Sequence, residues 1–241
     1  MAPSIAFFDM DNTLLKGDSD NLLVAYMIGT RRLGMATLVK MARFNLLALL
    51  DRVDIEEWRR WVYREFGRFK AEELMPIVEE GYKRRIMPRL YSEGVDSIAA
   101  HKQKGHLTVI ATAAWEFIAE KVRVQLGADD KISSIAGFEN GHLSDDLRNL
   151  LPYNEGKRAT AELYAAERDV DLNNCYLYTD SIADLPLLEA VGHAVVVNPG
   201  KGLRQLAVER GWQVLNWNTP AGFLEPSVAE QLSFGGHASG V

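Results

Sequence analysis

Two carboxylates one residue apart, in Asp9-Met10-Asp11-Asn12-Thr13, follow directly on the continuous apolar run Ile5 to Phe8. A strand delivers such a pair together at its C-terminal end, where one carboxylate can attack an electrophile while the other moves a proton. Three further pieces repeat this placement. Thr112 closes the run HLTVIAT and offers a hydroxyl to an anionic oxygen. Lys157 opens the segment EGKRATAELYAAE, where a cation opposes the helix dipole and an anionic partner would explain it. Asp180 and Asp184 follow the run CYLYT and stand four apart across a strand-to-helix turn, so both can face one cavity and offer oxygen to a hard cation. Each piece alone has an ordinary structural reading: a solvated acidic turn, a strand-ending threonine, a surface lysine, a helix N-cap with a first-turn acid. Acid, hydroxyl, cation and acid at successive strand ends form one chemical set, because open α/β sheets bind their ligands there.

The elements that must carry these residues are legible in the periodicity. Ile5 to Phe8 reads as a strand buried on both faces of a parallel sheet. From Leu22 to about Arg85 the pattern is helical, with Trp58, Trp61, Val62 and Phe66 at helical spacings and no strand signal. After Pro88 the alternation resumes, with helices near Leu90 to Lys104, Glu116 to Leu126, Lys157 to Arg168, Leu185 to Val191 and Leu203 to Arg210. Strands are expected at His106 to Ala111, Ile132 to Ala136, Cys175 to Thr179 and Ala194 to Val197, with a last short one at Gln213 to Asn216. The Asn-Gly pair in Glu139-Asn140-Gly141-His142 predicts a tight hairpin. The fold class is therefore α/β, a Rossmann-like, doubly wound, mostly parallel sheet with an inserted helical cap. Residues 1–16 and 88–218 would form the core, 17–87 the cap, and 219–241 a mobile tail with too few apolar residues to order itself.

Composition narrows the class further. Of 241 residues, 47% are apolar and 25% charged, which suits a chain with a full core, and a net charge of −6 without a long basic run argues against nucleic acid as partner. The single Cys175 excludes an intrachain disulfide framework, and MAPSIAFFD lacks the basic start of a signal peptide, so a cytoplasmic location is expected. Leu33 to Leu50 is the most membrane-like stretch, but Lys40 and Arg43 interrupt it, and it reads as a helix that could at most touch a lipid surface. The five histidines, His101, His106, His142, His193 and His237, are dispersed without ligand spacing. Pro199-Gly200-Lys201-Gly202 lacks the spacing of a phosphate loop and reads as the start of the Leu203 helix.

Taken together, the four pieces resemble the motifs of the haloacid-dehalogenase superfamily of phosphohydrolases: DxDx[TV], a strand-end Ser or Thr, a Lys, and a final acidic pair. The resemblance runs from about Ile5 to Gly211. It is closest to the phosphoserine-phosphatase-like branch, through the strings DxDNTLxxGDSD, YxDSxxDxPLLExVG and VNPxxxLRxxAxxRGW. A departure falls at Ala113-Ala114-Trp115, where relatives tend to carry a second small hydroxyl residue or a proline. The resemblance implies Mg²⁺ held by Asp9, by the main-chain carbonyl of Asp11 and by Asp180, with Asp184 orienting the metal or its water. It further implies that Asp9 attacks phosphorus, that Asp11 is acid and then base, and that Thr112 and Lys157 hold the phosphate.

The substrate is then a small phosphate ester such as an amino-acid or amino-alcohol phosphate. Asp18 in GDSD lies near where phosphoserine phosphatases put a substrate-binding glutamate, and Asp18 and Arg59 are candidates to contact the part remote from phosphate. Helix capping is the competing role for Asp18, a solvated surface position that for Arg59. A lipid phosphate, a phosphotransferase reaction through the same aspartyl-phosphate, and a non-catalytic binding module remain alternatives. Dehalogenation does not need the second acid, Asp11.

Overall fold

The computed structural model describes residues 4–49 and 55–223. β1 (Ile5–Phe8) has four apolar, fully buried residues, and alternation sends Ile5 and Phe7 to one face of the sheet and Ala6 and Phe8 to the other. It pairs in parallel with β2 (Leu107–Trp115) on one side and β6 (Tyr176–Thr179) on the other. β3 (Asp130–Ser134) lies outside β2, while β7 (His193–Val197) and β8 (Gln213–Leu215) lie outside β6, giving the order β3-β2-β1-β6-β7-β8 with every pair parallel. Strand order reverses at β1, so the crevice at its C-terminal end is the place where such a sheet takes a ligand.

Helices cover both faces. On the Phe8 side pack α5 (Ser92–Gln103) and α6 (Glu116–Leu126), through Ile98, Ile118 and Val122. On the Phe7 side pack α7 (Glu155–Ala166), the short α8 (Leu185–Leu188) and α9 (Lys201–Arg210), through Ala161, Leu187 and Leu203. The chain leaves this layered body after Leu15 and returns at Leu90, the two residues being bridged. Between them stand α1 (Ser19–Gly29), α2 (Met35–Leu49), α3 (Ile55–Phe66) and α4 (Ala71–Gly81), then a π-helical turn, Tyr82–Ile86, and a 3-10 turn, Met87–Arg89. Their apolar residues join those of Phe8 and Ile110 in one continuous cluster.

β4 (Ala136–Glu139) and β5 (His142–Leu147) form the separate hairpin that Asn140-Gly141 announces, both turn residues having positive φ (51° and 81°). The hairpin tip reaches the α3–α4 turn: the Ala71 N–H donates to the Gly141 carbonyl at 2.7 Å, and His142 Nδ1 meets the Gly67 carbonyl at 2.9 Å.

Several boundaries differ from the sequence reading. β3 starts at Asp130, and the helix expected over Leu185 to Val191 is a 3-10 turn, Ile182–Asp184, followed by one turn of α-helix. The tail expected to be mobile from Thr219 is held at its start. The Ser92 N–H donates to the Thr219 carbonyl, the Thr219 hydroxyl donates to Glu93 at 2.9 Å, and the Ala221 N–H donates to the Leu90 carbonyl, so 219–223 cap the entry to α5. The rest of that tail, and Leu50 at the end of the membrane-like stretch, lie outside the described residues. No described helix is long and apolar enough to cross a membrane.

Candidate active site

The turn after β1 sets the first two carboxylates. The Asp9 N–H donates to the Tyr178 carbonyl of β6 at 2.8 Å, which ties the end of β1 to the strand that carries Asp180. Three residues on, Asn12 adopts φ +58°, a conformation asparagine tolerates, and the Leu14 and Leu15 N–H groups fold back onto the Met10 carbonyl. The chain thus turns sharply, with Asp9 and Asp11 lining one cavity of about 240 Å³.

Thr112, Lys157, Asp180 and Asp184 line the same cavity, as does Asp18. Lys157 is 4% exposed, and its Nζ donates to Asp9 Oδ1 at 2.8 Å and to Asp184 Oδ2 at 2.7 Å. Burial opposes its charge, but these two carboxylates outweigh burial and hold its pKa above the usual lysine value. The Thr179 hydroxyl also donates to Asp184 Oδ2, at 2.6 Å. Asp180 is clamped from the first motif: its N–H donates to Thr13 Oγ1 at 2.9 Å, and the Thr13 hydroxyl donates back to Asp180 Oδ1 at 3.1 Å. Thr112, 1% exposed, accepts from the Ala114 N–H at 3.1 Å.

Asp11 accepts from both the N–H and the hydroxyl of Ser19, at 2.8 and 3.1 Å, so the first turn of α1 grips this carboxylate. Asp18 is the N-cap of α1, accepting from the Asn21 N–H at 2.8 Å, and lines the cavity as well; capping and contact with a ligand are compatible. Arg59 lies in α3, but its side chain is outside the described residues.

The electrostatics are those of an acidic site that Lys157 compensates only in part. Burial raises Asp9 to about 6, with Lys157 pulling it down and Asp184 pushing it up. Burial and Asp9 raise Asp180 to about 7, and burial with Asp18 raises Asp20, also in the cavity, to about 8. Asp11 is raised well above the carboxylate range by burial, then by Asp18, Asp20 and Asp9. Lys157 is the one cation lining the described cavity, against six aspartates. Hard oxygen donors with excess negative charge fit a divalent cation such as Mg²⁺. No three His, Cys, Asp or Glu side chains among the described residues are gathered as a ready metal group. A cation here would accordingly rely on Asp9 and Asp180 together with main-chain and water oxygens.

Several contacts escape motif reading. Trp115, at the departure Ala113-Ala114-Trp115, walls the cavity and stacks on Tyr63 of α3 with centroids 4.9 Å apart, joining core and helices across the opening. Thr13, Ser19 and Thr179 hold the carboxylates. Thr13 closes the first acidic motif, Thr179 directly precedes the last and Ser19 stands inside GDSD, but which carboxylate each one holds is written in no local pattern. The histidines expected to be scattered are in part gathered near the opposite end of the strands. His101 Nδ1 lies 2.9 Å from His106 Nδ1, His101 Nε2 lies 2.9 Å from the Tyr178 hydroxyl, and His193 stacks on Tyr176 at 4.2 Å. Burial lowers His101 to about 4, so this imidazole packs there uncharged. Gly200 and Lys201 begin α9, as the sequence reading holds.

The family described as haloacid dehalogenase-like hydrolase matches residues 6–189. A Mycobacterium tuberculosis protein named "Probable phosphatase" is 32% identical over 222 residues, covering 91% of this chain and 77% of its own length. A phosphoserine phosphatase of Mycobacterium tuberculosis is 28% identical over 234 residues, covering 95% of this chain and 76% of its own. The crystal structure of a protein of unknown function from Bordetella pertussis Tohama I superposes with a TM-score of 0.82 at 27% identity, covering 89% of this chain and 99% of that one.

Proposed function

This chain belongs to the haloacid dehalogenase-like hydrolase family, and from that premise we propose that it is a phosphatase whose Asp9 attacks a small phosphate monoester. The observation that carries the reading is the bridge from Lys157 to both Asp9 and Asp184 inside a cavity that also holds Asp11, Thr112 and Asp180. Lys157 keeps Asp9 ionised in spite of burial and brings positive charge to where phosphoryl oxygens would lie. Thr112 offers its hydroxyl to one of those oxygens.

In the first step an Asp9 oxygen bonds to phosphorus as the ester P–O bond breaks, and Asp11 gives its proton to the leaving oxygen. The raised pKa of Asp11 suits it to hold that proton at neutral pH. In the second step Asp11 takes a proton from water, whose oxygen attacks the aspartyl-phosphate, releasing phosphate and restoring Asp9. Mg²⁺, held by Asp9, Asp180 and the Asp11 carbonyl, would supply charge neutralisation for two anions brought together. Asp184 fixes Lys157 and the edge of that site.

Residues 17–87 act as the cap and choose the substrate, while 1–16 and 88–218 do the chemistry. Asp18 and Asp20 at the α1 start favour an ester bearing an ammonium group, an amino-acid or amino-alcohol phosphate, with Arg59 available for a carboxylate.

Asp9→Asn retains shape but removes the nucleophile, so phosphate release from such esters should fall by at least about a thousandfold. Wild-type activity should vanish with chelator and return with Mg²⁺. Near-normal release by a folded, sequence-verified Asp9→Asn protein would end the covalent reading, and full activity in excess chelator would end the metal assignment.

A further inference from the structure

From Asn21 to Leu50 the chain has thirty residues without an Asp or Glu and with four cations, Arg31, Arg32, Lys40 and Arg43, although the whole protein is acidic. α2 runs through this stretch and is apolar on two sides. Thr37, Met41 and Phe44 face inward, Phe44 stacking on Trp61 of α3 at 5.8 Å. Met35, Val39 and Leu46 recur on the outer side at helical spacing, 66%, 70% and 58% exposed, with exposed Ala42 between them. Arg43 borders this stripe and Arg31 stands in the turn before it, both exposed. Just before that turn, Gly29 and Thr30 line a surface hollow of about 450 Å³ with Lys83, Arg84 and Arg85.

We propose that the outer face of α2 docks this protein on an anionic lipid surface, with Met35, Val39 and Leu46 entering the acyl boundary and Arg31 and Arg43 meeting lipid phosphates. The basic hollow offers a place for one head group, Lys83 and Arg84 keeping part of their charge for Glu79 and Glu80. A convex stripe on one helix, bordered by cations and free of acids, matches a flat anionic surface. A second copy meeting the same face about a two-fold axis would set like charges against each other. The contact lies outside the catalytic cavity and does not depend on which ester is hydrolysed.

The test is co-sedimentation of the full chain with vesicles of phosphatidylcholine alone or mixed with phosphatidylglycerol. Binding should be confined to the mixed vesicles and weaken with added salt. Val39→Glu and Leu46→Glu should each lower it roughly tenfold, and Arg31→Ala and Arg43→Ala about fivefold each, with hydrolysis of p-nitrophenyl phosphate unchanged. Val39→Ser removes apolar contact without adding charge and should weaken binding in the same direction, which separates docking from any folding defect seen by circular dichroism. Equal sedimentation with both vesicle types, none with either, or undiminished binding by Val39→Ser and Leu46→Glu would overturn the proposal. So would a wild-type dimer that Val39→Glu converts to monomer without changing vesicle binding.

Discussion

Asp9, Asp11, Asp20 and Asp180 are all raised above their ordinary range, and this has a consequence for stability that is separate from catalysis. A carboxyl whose folded pKa exceeds its unfolded value near 3.8 binds more protons folded than unfolded between those two values. Stability from such groups is then full below about 4 and is lost as pH rises through about 6, 7 and 8 for Asp9, Asp180 and Asp20. His101, lowered to about 4, works the other way and withdraws stability as pH falls below 6.5. The four raised carboxyls outweigh the one lowered imidazole, so the metal-free protein should lose Tm steadily as pH rises from about 5 to about 8. Asp20→Asn removes one such group, and at pH 8 it should raise the metal-free Tm by roughly 2–4 °C, the shift that about 1 kcal/mol produces in a protein of this size. The same variant should change little at pH 5. Differential scanning calorimetry across that pH range in chelator checks both, and an Asp20→Asn protein no more stable than wild type at pH 8 would show that Asp20 is not a strained charge.

The elements around the cavity are coupled at one narrow point, the contact between the β4–β5 hairpin and the α3–α4 turn. A Cβ on Gly67 would lie 2.7 Å from the Leu143 carbonyl oxygen and 2.8 Å from that of Tyr63, both backbone atoms that cannot move aside singly. Gly67→Ala should therefore push the hairpin from α3 and destabilise the protein by roughly 1–3 kcal/mol. Because Tyr63 of α3 stacks on Trp115 at the cavity wall, the displacement should also raise KM more than it lowers kcat. Denaturant unfolding and steady-state kinetics read the two effects. Unchanged stability would mean that hairpin and turn part freely. Asn140-Gly141 made the hairpin foreseeable in sequence, whereas its docking partner was not, since nothing local to 136–147 encodes contact with residues 67–71.

At the scale of the whole molecule, the helices between Leu15 and Leu90 share one apolar cluster with the Phe8 face of the sheet, from Leu23, Trp61 and Leu74 to Ile110 and Ile118. Burial that is continuous across both parts should make them unfold together, so far-UV and near-UV circular dichroism should give one coincident thermal transition. Two separated transitions would show that the helical part has its own core. Most of the strands and the residue types of the four motifs were legible from the chain alone, because a strand buried on both faces must be apolar throughout and the acids that follow β1 and β6 stand out, although β2 runs on past Thr112 to Trp115. Element boundaries near Pro186 and Thr219 were less so, being decided by packing rather than propensity. The grip of Ser19 on Asp11, the Thr13 clamp on Asp180, the Trp115–Tyr63 wall and the gathering of His101, His106 and His193 belong to the tertiary structure alone. Residues from 5 to 167 positions apart meet in them, and local periodicity carries no record of which distant side chains the sheet will bring together.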